Sequence, residues 1–97
     1  MKIYYVDIDE TICTTPNSRK YEDAIPILEN IEKINNLYDM GNTIVYWTSR
    51  GSRKQIDWYD LTYRQLKSWN AKFNELRVDK PYYDIFIDDK TLRIEEI

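Results

Sequence analysis

Two hydrophobic patterns alternate along this chain. Ile3-Tyr4-Tyr5-Val6 is a short continuous run of β-branched, aromatic and aliphatic side chains, the pattern of a fully buried strand. It predicts a first strand over 2–8. Ala24, Ile27, Leu28, Ile31, Ile34, Leu37 and Tyr38 then recur at three- and four-residue spacing, one apolar stripe of a helix over 23–40. Asp23 is its expected N-cap, Pro26 fits only a first turn, and Gly41 stands where a left-handed C-terminal residue is wanted. Thr43-Ile44-Val45-Tyr46-Trp47 is a second continuous strand. Strand, helix and strand in this short length make a βαβ unit, with parallel strands and a right-handed crossover.

Residues 52–69 predict a second helix. Ser52 caps it, and Ile56, Tyr59, Tyr63 and Leu66 share one face. Trp58, Leu61 and Trp69 widen that face or mark a contact with another subunit. Leu76-Arg77-Val78 reads as a short strand. Tyr83-Asp84-Ile85-Phe86-Ile87 reads as a last buried strand, and the alternating tail 91–97 as a short edge strand. Residues 10–21, with Pro16-Asn17-Ser18 at their centre, read as a loop. The expected architecture is a single α/β domain over 1–97. It is a three-layer α/β/α sandwich, with a small, mainly parallel sheet and helices on both faces.

Composition narrows the chemistry. The chain has no histidine, so His triads, His-ligated zinc and His general bases are excluded. Its one cysteine, Cys13, permits no intrachain disulfide and fits a reduced, cytoplasmic setting. Cys13 reads as a small, partly buried residue rather than a nucleophile. Met1-Lys2-Ile3 has no signal-peptide pattern, and no apolar run approaches the ~20 residues of a membrane span. The net charge of -3 argues against a nucleic-acid partner.

Three predicted strands end in chemistry: Asp7 and Asp9, then Thr48-Ser49-Arg50, then Asp88-Asp89. Parallel, adjacent strands would bring four carboxylates together, and such a cluster repels itself without a cation. An all-oxygen ligand set favours Mg²⁺. Thr48, Lys80 and Arg50 are suited to hold a phosphate beside it, the cations by charge and the hydroxyl by hydrogen bonding. Read singly, Lys80 is an ordinary surface lysine, Thr48 a helix cap and Arg50 a solvated loop charge. Arg53 and Lys54 read as an exposed helix start that is also within range of a substrate.

The order Asp7-x-Asp9-x-Thr11, Thr48 after an apolar strand, Lys80, and Asp88-Asp89 after another apolar strand resembles the haloacid dehalogenase superfamily of phosphohydrolases. Its four motifs span residues 3–89, and the ordered set is far more specific than Asp-x-Asp alone. The stretch Lys80-Pro81 through Asp88-Asp89 is similar to the ending of small bacterial members, some encoded with polysaccharide-biosynthesis genes. The resemblance implies that Asp7 is the nucleophile, forming an aspartyl-phosphate. Asp9 then protonates the leaving oxygen and later deprotonates the attacking water. Thr48 and Lys80 hold the phosphoryl group, with Ser49 and Arg50 as substrate contacts. Mg²⁺ falls to the Asp7 side chain, the Asp9 carbonyl and an Asp of the last motif, Asp89 directly with Asp88 behind it, or the reverse.

Many members place Gly-Asp before a further Asp in that last motif, where this chain has Asp88-Asp89-Lys90. Only residues 10–21 are available as a lid, so the resemblance is to the capless type. Such members act on large substrates or let a neighbouring subunit cover the site. The expected substrate is a small phosphorylated metabolite, a sugar- or polyol-phosphate, and a homo-oligomer is the expected cover. The alternatives are a phosphatase of a nucleic-acid end or phosphoprotein, and a non-catalytic binding protein on the same scaffold.

Overall fold

The structure, a computed structural model, describes residues 1–51 and 57–97. Strand β1, Ile3–Val6, pairs in parallel with β4, Thr43–Trp47, from Ile3 opposite Thr43 to Val6 opposite Tyr46. β4 pairs in parallel with β5, Glu75–Arg77, giving the sheet order β1-β4-β5. Helix α1, Leu28–Asp39, connects β1 to β4, and α2, Tyr59–Ser68, connects β4 to β5. The α/β architecture with a small parallel sheet and packed helices is therefore present.

The core lies on one face of that sheet. Tyr4, Val6, Ile8, Ile44, Tyr46 and Leu76 alternate inward along the strands, and Ile31 and Ile34 of α1 and Leu66 of α2 join them in one cluster. Two successive right-handed crossovers in the same direction put both helices on the same face. The opposite face, with Ile3, Tyr5, Trp47 and Arg77, carries no helix among the described residues. Tyr5 and Trp47 meet edge to face there at 5.4 Å.

Both helices end alike. Gly41 (φ 93°) and Asn70 (φ 59°) take the left-handed position. The N–H of Gly41 reaches Tyr38 O and that of Asn42 reaches Leu37 O, while the N–H of Asn70 reaches Lys67 O and that of Ala71 reaches Leu66 O. These paired bonds satisfy carbonyls the helix leaves open.

The start of the first helix differs from expectation. Asp23 lies in a 3-10 turn, Tyr21–Asp23, and α1 begins five residues later with Ile27 as N-cap. Pro26 belongs instead to β3, Ile25–Pro26, paired antiparallel with β2, Cys13–Thr14. An edge ladder tolerates the missing proline N–H, and the N–H of Ile27, bonded to Ile12 O at 2.8 Å, takes over the anchoring. The expected loop 10–21 is thus partly a small flap. The inner face of α2 also turns: Thr62 and Leu66 are buried, while Tyr59 and Tyr63 stack at the exposed side. Ser52 as cap and Ile56 as a core position lie outside the described residues.

The largest departure follows Lys80. Residues 83–87 form no strand, and Tyr83, Ile85, Phe86 and Ile87 are exposed. The tail makes a 3-10 turn, Ile94–Glu96, in place of an edge strand. A strand needs a neighbour for its N–H and C=O groups, and among the described residues of one copy this segment pairs with none.

Candidate active site

The carboxyl end of β1 runs into a tight turn. The N–H groups of Thr11 and Ile12 both bond Ile8 O, and Glu10 takes a left-handed φ of 65°. Ile8 and Ile12 are fully buried beneath this turn, so core packing fixes where the two acids between and before them emerge.

Asp7 is half-buried at the sheet edge. Lys80 Nζ lies 3.4 Å from Asp7 Oδ1, and Thr11 Oγ1 donates to Asp7 Oδ2 at 3.3 Å. Burial raises the Asp7 pKa, against the opposing pull of the Lys80 charge and the Ile8 N–H. Lys80 is itself buried, its ammonium 5.5 Å from the Trp47 ring and 5.2 Å from that of Tyr83. Its N–H bonds Thr48 O at 3.2 Å, and the Thr48 N–H bonds Arg77 O at 3.0 Å. Parallel strand order therefore gathers Asp7, Thr48 and Lys80 at one sheet edge, where α/β folds place their ligands.

Asp9 is held differently. Arg50 Nε donates to Asp9 Oδ2 at 3.0 Å and Arg50 Nη2 to Oδ1 at 2.8 Å, a bidentate pair. Arg50 Nη1 donates to Thr62 Oγ1 at 3.1 Å and Gln65 Oε1 at 2.6 Å, and its guanidinium lies 4.7 Å from the centre of the Tyr21 ring. Arg50 is 2 % exposed. Burial works against its charge, but its bonds to Asp9 more than compensate and its pKa is raised. The sequence led us to expect Arg50 as a substrate contact; here it is buried, with its donors on Asp9, Thr62 and Gln65.

Sequence reasoning missed Thr62, Gln65 and Tyr21, which build the Arg50 socket. The one available signal was a threonine four residues before Leu66, on the same face of the helix. Cys13 completes the surroundings, its Sγ 3.5 Å from Asp9 Oδ1.

An open cleft of about 640 Å³ lies over Asp9, lined by Arg19, Lys20, Tyr21, Ser49 and Trp58 among others. Ser49 lies on the wall of this cleft. The Tyr21 and Trp58 rings meet edge to face at 5.1 Å as one wall, so Trp58 is engaged within the chain. Arg53 and Lys54 lie outside the described residues.

Asp88 and Asp89 do not join this group. They are exposed, Asp89 N–H bonds the Asp88 side chain, and no set of three Asp, Glu, Cys or His among the described residues is arranged to hold a metal. The expected Mg²⁺ ligand set of Asp7, Asp9, Asp88 and Asp89 is therefore not gathered among the described residues.

No family model matches the chain, and no curated protein matches it. Among solved structures it is similar to a structural-genomics target from Vibrio cholerae. The two are 28% identical with a TM-score of 0.88, over 99% of this chain and 86% of that one. No described helix is long and apolar enough to cross a membrane.

Proposed function

We propose that this chain is a phosphohydrolase of the haloacid dehalogenase type. It hydrolyses a small phosphomonoester through an aspartyl-phosphate, with Mg²⁺ as its cation. The observation that carries this reading is Lys80 Nζ at 3.4 Å from Asp7 Oδ1, with Thr48 bonded to the Lys80 backbone beside them. Three separate segments meet here, Lys80 beside Asp7 and the Thr48 backbone joined to that of Lys80, which supports the roles of nucleophile for Asp7, cation for Lys80 and hydroxyl donor for Thr48. A phosphoryl transition state gains mostly from positioning and charge neutralisation, and these groups supply both.

In this reading Asp7 attacks phosphorus and Lys80 neutralises an equatorial oxygen. The Thr48 hydroxyl accepts from Arg50 N–H at 3.2 Å, and its proton serves the phosphoryl group. Bound Mg²⁺ adds positive charge at the phosphate. Asp9 serves the leaving oxygen. Both its oxygens accept from Arg50, so a proton carried there displaces one N–H···O bond. The cleft beside Asp9, with Arg19, Lys20 and an aromatic wall, suits a small polar phosphate ester in the cytoplasm better than a nucleic acid on an acidic protein.

Turnover of a generic phosphomonoester, with and without Mg²⁺, tests the reading in wild type and Asp7→Asn. Metal-dependent turnover abolished by the substitution supports it; turnover that survives in Asp7→Asn rejects it. The dispersal of Asp88 and Asp89 favours one second reading, a binding protein on this scaffold. Absence of turnover across a broad panel of phosphorylated metabolites would select that reading.

A further inference from the structure

An exposed segment and an unpaired sheet edge occur together in this chain. Residues 81–93 are all exposed, with Ile85 at 79% and Ile87 at 93%. The segment is tethered at both ends, by Lys80 N–H on Thr48 O and by Lys33 Nζ on Ile94 O at 3.3 Å. Meanwhile β1 pairs only with β4 among the described residues, and beside its free edge Ile3 is 69% and Tyr5 51% exposed. A bare edge strand and a bare apolar strand-forming segment each invite pairing.

The segment cannot satisfy that edge in its own copy and also serve the site. To bring Asp88 and Asp89 beside Asp7, it must run parallel to β1. Lys80 already sits at the Asp7 end, so the chain would first have to return to the level of Ile3. β1 has 4 residues, a length of about 13 Å. Only Pro81 and Tyr82 separate Lys80 from Tyr83, and three steps of chain reach at most about 11 Å. Parallel neighbours ordinarily need a crossover of about a dozen residues. An antiparallel run would leave Asp88 and Asp89 at the wrong end.

A second copy removes both constraints. We propose that residues 83–87 of one copy add as a parallel strand to the free edge of β1 in another, reciprocally in a two-fold dimer. Each arm thereby brings Asp88 and Asp89 beside Asp7 and Asp9 of the other copy. Tyr83, Ile85 and Ile87 share one face of such a strand, which matches the open Ile3 and Tyr5 row on the helix-free face. The backbone of the arm gains strand partners it lacks among the described residues of one copy, and the short carboxylate set gains its missing members. Exchange of an identical element is a low-cost route to a closed dimer. The strand exchange stands on geometry alone; the completed site rests on the phosphohydrolase reading.

Sedimentation of the full chain tests the exchange without any assay. Wild type is expected as a dimer, and Ile85→Asp with Ile87→Asp as a monomer with unchanged circular dichroism, because both positions are exposed in a single copy. Monomeric wild type, or a dimer that survives those substitutions, overturns the exchange. Co-expression of Asp7→Asn with the double variant Asp88→Asn and Asp89→Asn tests completion of the site. Each variant alone is expected to be inactive. A mixed dimer holds one intact site, so random pairing restores about a quarter of wild-type turnover. An active wild type with no recovery in the mixture overturns completion in trans. A dimeric but inactive wild type rejects the phosphohydrolase reading and leaves the exchanged arm standing on sedimentation.

Discussion

Arg50 grips both carboxylate oxygens of Asp9, at 3.0 and 2.8 Å, across 41 positions of sequence. The guanidinium is buried and the carboxylate only partly so, with 24% of its side chain exposed. Removing one partner of such a pair strands the other's charge in a dry site and costs several kcal/mol. Arg50→Met is therefore expected to destabilise the fold by about 3 kcal/mol, toward the low end because Asp9 retains some water. Arg50→Lys keeps the charge but loses the fork to Asp9, Thr62 and Gln65, and falls between. Urea unfolding of the two variants measures this; a loss under about 1 kcal/mol in Arg50→Met would make the pair no more than a surface bridge.

Lys80 is the cation paired with the proposed nucleophile among the described residues, and it is enclosed by Trp47 and Tyr83 rather than free in solvent. A preorganised charge aimed at developing negative charge is worth on the order of 100-fold in turnover. Lys80→Met is expected to lose about that much kcat with the fold intact, and Lys80→Arg to retain part of it. Steady-state kinetics beside a thermal melt decides. Unchanged kcat in a folded Lys80→Met would remove Lys80 from the mechanism.

Tyr46 is fully buried, packed edge to face on Phe73 at 5.9 Å, and its hydroxyl has no hydrogen-bond partner among the described residues. An unpaired buried hydroxyl costs free energy that phenylalanine would not. Tyr46→Phe is expected to leave stability unchanged or raise it by up to about 1 kcal/mol, where most core substitutions lose. Denaturant melts check it, and a loss above about 1 kcal/mol would reveal a partner for the hydroxyl.

Continuous apolar runs made β1 and β4 legible, because a strand buried in a parallel sheet needs nothing but its own composition. Gly41 was legible for the same local reason. What failed was decided by distant partners. Pro26 looked like a helix first turn, yet Cys13 recruited it into a ladder. Arg50 looked like a loop charge, yet Thr62 and Gln65 of a helix beyond it supply the acceptors that bury it. Residues 83–87 carry a strand's composition yet form no strand, because composition cannot say whether an edge is there to pair with. Asp7, Thr48 and Lys80 lie together, as expected, because they follow elements that the sequence does define. Asp88 and Asp89 stand apart because the strand expected before them does not form.

Cys13 gives a prediction in pH. Burial first, then the nearby Asp9 charge, pushes its thiol from 9.0 up to about 12. The folded chain therefore holds the neutral form, which donates to Asp9, while the unfolded chain ionises near the ordinary value. A raised pKa means the folded state binds the proton more tightly, so this contribution to stability is fully present below pH 9 and is lost progressively as pH rises toward about 12. The readout is the difference between wild type and Cys13→Ala, which isolates the thiol. Wild-type stability should fall more steeply than that of the variant above pH 9. Iodoacetamide at pH 8 should label the unfolded chain and spare the folded one, since the thiolate is the reactive form. Rapid labelling of the folded protein, or parallel alkaline profiles for the two chains, would show that Cys13 ionises as an ordinary thiol.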